Sequence, residues 1–216
     1  MKKLFLFPAV LALLSCTSET YDTGDGSLSF LHADFVEMHT VAPKSVDWFT
    51  TDEEQRFDLS TPATAAWAEK ADTLYRALAY YTTEEDVAST ISLQQVYVLR
   101  PEVLAPKKTP KTDPVGLESI WLSPNGRYIN MGLLLKIGTE EATDNSARHT
   151  IGVAITEETP DALSLTLAHD QGGVPEYYTQ RVYASIPVSD GMRGKTVTLS
   201  VNTYQGTKER TLNIPD

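Results

Sequence analysis

The 216 residues carry 18 Lys and Arg against 29 Asp and Glu, a net charge of −11, and a single cysteine. A field of that sign repels a phosphate backbone, so nucleic-acid binding is disfavoured, and one cysteine excludes a disulfide framework. Twelve glycines, twelve prolines and many Thr, Val and Tyr residues point to β structure.

Met1-Lys2-Lys3 is a short basic start, followed by an almost unbroken apolar run over Leu4–Leu14. A helix of that length, at about 1.5 Å per residue, cannot cross a hydrocarbon core of about 30 Å, so residues 1–15 read as a signal peptide. The run ends in Leu13-Leu14-Ser15-Cys16, a pattern that resembles a bacterial lipobox. Cys16 is then the lipidated first residue of the mature chain, its thiol carrying the covalent lipid. Losing Lys2 and Lys3 leaves 16 basic against 29 acidic residues, a net charge of −13. Thr17, rather than an aspartate, follows the cysteine, which by the same resemblance favours the outer membrane over the inner. The expected location is the cell envelope, with residues 16–27 as a lipidated tether rich in Ser, Thr, Gly and Asp.

The next unit, residues 28–104, reads as a small barrel. "SLSFLHADFVEMHTV" is a strand, and Ala42-Pro43-Lys44-Ser45 is a turn. "VDWFTT" and "QRFDLS" are the arms of a hairpin closed by Asp52-Glu53-Glu54. Thr61-Pro62 has the chemistry of a helix start, so about ten helical residues are expected from Pro62. "TLYRALAYYT" fits two patterns. Trp67, Ala71, Leu74, Leu78 and Tyr81 have helical spacing, whereas Tyr75, Ala77, Ala79 and Tyr81 share one face of a strand. The strand is preferred, because "STISLQQVYVLR" after it needs a partner. Five short strands with one small helix suit an OB-like barrel.

"RPEVLAPKKTPKTDPVG" follows, with prolines at 101, 106, 110 and 114 and three lysines between them. It reads as an extended, exposed linker over residues 105–114. Residues 115–216 then hold seven strands: "LESIWLS", "RYINMGLLLKI", "RHTIGVAIT", "ALSLTLAHD", "TQRVYASIPV", "KTVTLSVNT" and "KERTLNI". Turn signals at Pro124-Asn125-Gly126, Thr159-Pro160-Asp161, Asp190-Gly191 and Gln205-Gly206 separate several of them. This is the pattern of a seven-stranded antiparallel β-sandwich.

One hairpin allows a register. With a loop at Glu157–Asp161, Ile155 faces Leu163, Val153 faces Leu165, Ile151 faces Leu167 and His149 faces His169. Six aliphatic residues make this the core face, with the two histidines closing one end. Such a pair can share a proton, a water or a metal. Zinc takes three or four protein ligands and no neighbouring residue offers a third, so metal binding is not expected and a structural role is favoured. In that role the histidines cap the core and bond to the backbone of "DQGGVP".

No G-x-S-x-G, H-E-x-x-H or Walker A pattern is present, and "HAD" at 32–34 makes no triad. Glu84-Glu85 and Glu140-Glu141 sit in polar turns, where a solvated surface explains them better than glycosidase chemistry. "DTGDGS" at 22–27 lacks the spacing of a calcium loop. Tyr177 and Tyr178 form a candidate ligand-binding pair, able to stack on a sugar or a partner, with edge packing as the alternative.

The lipobox, "GSLSFLHADFVE", "YRALAYYT…QVYVL" and "HTIGVAI…LSLTLAHDQGG" together resemble the NigD-like lipoproteins of Gram-negative anaerobes. The resemblance implies an OB-like N-terminal domain, a C-terminal β-sandwich and an association with bacteriocin immunity. It brings no catalytic residue. The expectation is a non-enzymatic binding protein, held to the membrane by its lipid, with an unidentified protein or glycan partner. A metal-dependent hydrolase centred on His149 and His169 is the remaining alternative.

Overall fold

The computed structural model describes residues 30–84, 86–104, 108–138 and 148–216. Cys16, the signal and tether segments, Glu85, Glu140 and Glu141 lie outside the described residues.

Val36, Met38 and Thr40 are buried in alternation with Glu37 and His39, which makes His32–Ala42 (β1) a strand with one core face. It turns into Ser45–Thr51 (β2), which pairs with Arg56–Thr64 (β3). Thr73–Glu84 (β4) pairs with β1 on one side and with Val87–Val98 (β5) on the other. A parallel contact between β3 and β5 at Asp58–Val87 and Leu59–Ala88 closes the ring. The circular order β1-β2-β3-β5-β4 is that of an OB-like barrel. Phe49, Phe57, Tyr81, Ala77 and Ala79 fill it. Residues 73–82 are therefore strand, with Tyr75, Ala77, Ala79 and Tyr81 packed on the barrel core.

The helix expected from Pro62 does not form. Pro62 belongs to β3, in a stretch where the β2–β3 register shifts between Val46 and Trp48. Proline is tolerated in a strand where no ladder hydrogen bond is required of its nitrogen, and such a bulge is that place. The only helical turn among the described residues is the 3-10 segment Asp190–Met192.

All seven strands of the second half form: Gly116–Leu122 (β7), Tyr128–Ile137 (β8), Thr150–Glu158 (β9), Ala162–Asp170 (β10), Tyr178–Pro187 (β11), Thr196–Thr203 (β12) and Gly206–Asn213 (β13), preceded by a short strand at Pro101–Val103 (β6). One sheet runs β13-β12-β10-β9-β6. The facing layer, β11-β8-β7, continues the barrel sheet, because β11 pairs in parallel with β5 from Tyr183–Val96 to Ser185–Val98. Antiparallel pairing dominates the sandwich, but β10 and β12 run parallel because β11 crosses to the other sheet between them. Leu133, Leu165, Leu167, Leu199 and Met131 form its core. Each such side chain contributes about 1.5–3 kcal/mol by leaving water.

The eight-stranded sheet curls so that the outer face of β1–β4 meets the outer face of β8–β11. Phe35 lies edge-on against both Trp121 and Tyr183, with ring centroids 5.3 and 5.5 Å away. Strand β8 is thus covered on both faces, which explains why "INMGL", residues 129–133, is a continuous buried run.

The Pro/Lys segment, expected to be an exposed linker, is attached to the sandwich at its described ends. Strand β6 extends the sheet beside β9, and Thr112 forms a parallel bridge with His169 of β10. The two described ends therefore lie at the β9 edge of the sheet and beside β10. Prolines remove backbone donors, yet Lys111 O still accepts from His169 N (2.9 Å) and Asp113 N still donates to His169 O (2.9 Å).

Candidate functional site

The predicted hairpin register is displaced by two residues. Thr159 closes a tighter turn, donating through its backbone N–H to Ala162 O at 2.8 Å and accepting from Ala162 N through Oγ1 at 3.0 Å. A bulge follows at Ser164–Leu165, and from there Leu165 faces Ile155, Leu167 faces Val153 and His169 faces Ile151. An even displacement preserves the face, so the aliphatic residues still point inward. His149 becomes the diagonal neighbour of His169 and still reaches it. The rings stack at 5.3 Å with an 11° tilt, and His149 Nδ1 lies 3.0 Å from His169 Nε2.

The proton positions follow from the acceptors. His169 Nδ1 is 3.0 Å from the Asp113 carbonyl oxygen, which can only accept, so Nδ1 carries the hydrogen. Nε2 of neutral His169 then accepts from His149 Nδ1–H. This leaves the lone pair on His149 Nε2, which is buried without a hydrogen-bond partner among the described residues. Burial pushes the His149 imidazole below its usual range, and His169 beside it acts in the same direction, while the Lys136 backbone opposes both. The backbone partner is Asp113 rather than "DQGGVP"; that loop instead donates Gln171 N–H to the Asp113 carboxylate at 2.7 Å. Two imidazoles bonded to each other do not aim their lone pairs at a common external point. Among the described residues no three His, Cys, Asp or Glu side chains are grouped to hold a metal ion.

Tyr177 and Tyr178 stand at the entrance to β11, 70% and 57% exposed. Tyr177 N–H donates to Ile137 O at 2.9 Å, and Tyr178 is paired with Ile137, so the backbone there is fixed while the rings are free to solvent. Successive residues entering a strand direct their side chains to opposite sides, so a single two-ring platform is not the natural arrangement.

The most elaborate polar constellation lies elsewhere, in the junction between the barrel and the sandwich. Arg76 of β4 is 4% exposed and donates Nη1–H and Nη2–H to the two oxygens of Asp52, at 2.7 and 2.6 Å. It also donates to Asn130 Oδ1 (3.1 Å) and Ser185 Oγ (3.3 Å). Ser185 donates to Asn130 Oδ1 at 2.7 Å, and Asn130 Nδ2 donates to Asp52 Oδ2 at 3.0 Å. The Tyr128 ring covers the guanidinium at 4.0 Å, and its hydroxyl donates to Glu37 at 2.7 Å. Burial, followed by the bond to Glu37, pushes the Tyr128 hydroxyl up to about 12. Every member has a partner, so the cluster is a fastening and not an open binding site. The one hint in the sequence was an arginine within an otherwise apolar strand.

A third cluster sits on the outer face of the barrel. His39 Nδ1 is 2.7 Å from Asp47 and Nε2 is 3.2 Å from Asp72, and the ring lies parallel to Trp48 at 5.0 Å. Arg56 stacks at 4.0 Å over Trp48.

No family model and no curated protein matches the chain. Solved structures do match in fold. A NigD-like immunity protein from Bacteroides caccae shares 24% identity over 86% of this chain and 97% of its own, with a TM-score of 0.63. A candidate toxin-related protein from Parabacteroides distasonis (14% identity, 86% and 93% covered, TM-score 0.63) and a candidate lipoprotein from Bacteroides fragilis (12%, 86% and 98%, 0.61) are similar in the same way. The resemblance to NigD-like proteins read from the sequence is thus met by a common fold along nearly the whole length of each.

Proposed function

We propose that the protein is a non-enzymatic binding protein of the cell envelope, anchored through lipidated Cys16, and that its partner is another protein. The single observation that carries this reading is the fold shared with an immunity protein over 86% of the chain. The candidate lipoprotein among the similar structures supports the envelope location, and Thr17 after the cysteine favours the outer membrane. Within this class, bacteriocin immunity is the specific activity favoured. Deleting the gene should sensitise a toxin-producing strain to its own product, and an unchanged killing curve overturns the immunity reading. Protease treatment of intact cells tests the location separately: loss of the folded domains places them outside, whereas protection until lysis places them in the periplasm.

A second reading, a surface glycan-binding module, draws on the exposed rings of Tyr177 and Tyr178. It requires that Tyr177→Ala with Tyr178→Ala abolish retention on a polysaccharide affinity gel. A hydrolase built on His149 and His169 has no comparable support, because three of their four ring nitrogens are engaged with each other and with Asp113.

A further inference from the structure

Strand β7 ends the eight-stranded sheet and β13 ends the five-stranded one, each with a single paired neighbour. Between these two free edges runs a hollow of about 690 Å³. Residues 115–120 line one side of it, and residues 203–205 and 208–210 line the other. Side chains of a strand alternate between its faces, so consecutive residues line one hollow only where it runs along the strand's edge. The hollow is therefore a groove beside the unpaired backbone of β7. Six such residues span about 20 Å at about 3.4 Å each.

The groove exists because the two sheets end out of step. Val201 faces Lys208 and Leu199 faces Arg210 across the β12–β13 ladder, so all four side chains share the core face. Val201 and Leu199 are buried, whereas Lys208 and Arg210 are exposed, because no strand beyond β7 lies over them. Neither cation has an ion-pair partner among the described residues. The carboxylates of the groove are engaged elsewhere. Glu118, set apart by the register shift between Leu117 and Ser119, accepts two hydrogen bonds from Arg181, both at 2.6 Å. Glu209 alternates to the other face of β13, where it accepts from Ser200 at 3.1 Å.

A ninth strand paired with β7 would fill the groove and lie over β13, directing every second side chain at Lys208 and Arg210. That arrangement selects its occupant. An apolar strand would leave two cations buried and unpaired, which is costly. A two-fold pairing of β13 with a second copy, centred anywhere on its charged run, puts like charges opposite one another, Lys208 on Arg210 in the central register. An acidic strand meets neither obstacle.

We propose that the groove receives an extended segment of the partner protein as a ninth strand on β7, with acidic side chains at alternate positions against Lys208 and Arg210. Main-chain hydrogen bonds hold such a segment, and its alternate side chains select it. The site rests on the protein-partner reading and gives that partner a chemistry.

The test is fluorescence anisotropy with the labelled heptapeptide Thr-Glu-Val-Glu-Val-Glu-Thr and two controls. One control carries lysine in place of glutamate, and the other is the acidic peptide with its backbone N-methylated, which blocks strand pairing. The acidic peptide should saturate at one per chain and bind at least tenfold more tightly than either control. Lys208→Gln with Arg210→Gln should weaken it at least tenfold. Lys208→Glu with Arg210→Glu should invert the preference, so that the lysine peptide binds more tightly. The proposal is overturned if the acidic peptide does not saturate, if either control binds equally well, or if the charge-reversed variant keeps the wild-type preference. The killing assay reads the immunity reading separately: a sensitised deletion strain without peptide binding removes the groove alone, and peptide binding with an unchanged killing curve removes immunity alone.

Discussion

The carboxylate of Asp52, at the tip of the β2–β3 hairpin, grips Arg76 of β4 with two parallel hydrogen bonds of 2.7 and 2.6 Å, and the pair docks on Asn130 and Ser185 of the sandwich. The Arg76 side chain is 1% exposed and that of Asp52 is 11% exposed. A buried ion pair gains little over well-packed apolar residues, but a partner left alone is costly. Asp52→Ala or Arg76→Leu alone should lower unfolding stability by about 3–5 kcal/mol in a denaturant titration. The double variant should recover part of that loss. Strictly additive losses would show that the two residues are not coupled.

His149 supplies an acid-sensitive element. Its imidazole is held below its usual range by burial and by His169, so the unfolded chain binds the proton more readily. Its contribution to stability is complete above the unfolded value near 6.5 and is lost as the pH falls through the depressed folded value. His149→Gln should flatten the decline in thermal midpoint between neutral and mildly acidic buffer. A decline of equal slope in the variant would assign it to other groups.

His39 works in the opposite direction. Bonds to Asp47 and then to Asp72 raise its affinity for the proton. The resulting stability is complete below the unfolded value near 6.5 and is lost as the pH rises through the elevated folded value. An NMR titration of the imidazole should therefore show a midpoint above 6.5, moving down in Asp47→Asn. An unshifted midpoint in that variant would remove Asp47 as the cause.

Gly172 controls the turn that carries the chain out of β10. Its φ is +61°, and a Cβ there would collide with the Arg148 carbonyl oxygen, directly before His149. Gly172→Ala should cost at least about 2 kcal/mol and disturb the imidazole signals of the histidine pair. Gly173→Ala, which has room for its Cβ but shares the positive φ, should cost less in the same thermal melt.

The local content of the sequence proved sufficient for much of the architecture. Alternating burial is a property of a few consecutive residues, so the seven sandwich strands and the inward face of "ALSLTLAHD" were legible without any partner in view. Even with the register displaced by two residues, the face survived and the histidines met, because strand side chains repeat with period two. The Pro62 signal misled for the complementary reason: proline's restrictions suit a helix start and a strand bulge equally, and only the pairing of β2 with β3 distinguishes them.

What the tertiary structure alone decided is who meets whom across long separations. Arg76 finds Asp52, Asn130 and Ser185 at 24, 54 and 109 residues' distance, and no periodicity encodes such a choice. The same is true of the backbone acceptor for His169, which comes from Asp113 at a separation of 56 residues. A strand's sequence specifies that one face must leave water. Which surface receives it is settled by the curl of the whole sheet, where burying a charge is tolerable only if every hydrogen bond of the charged group is met.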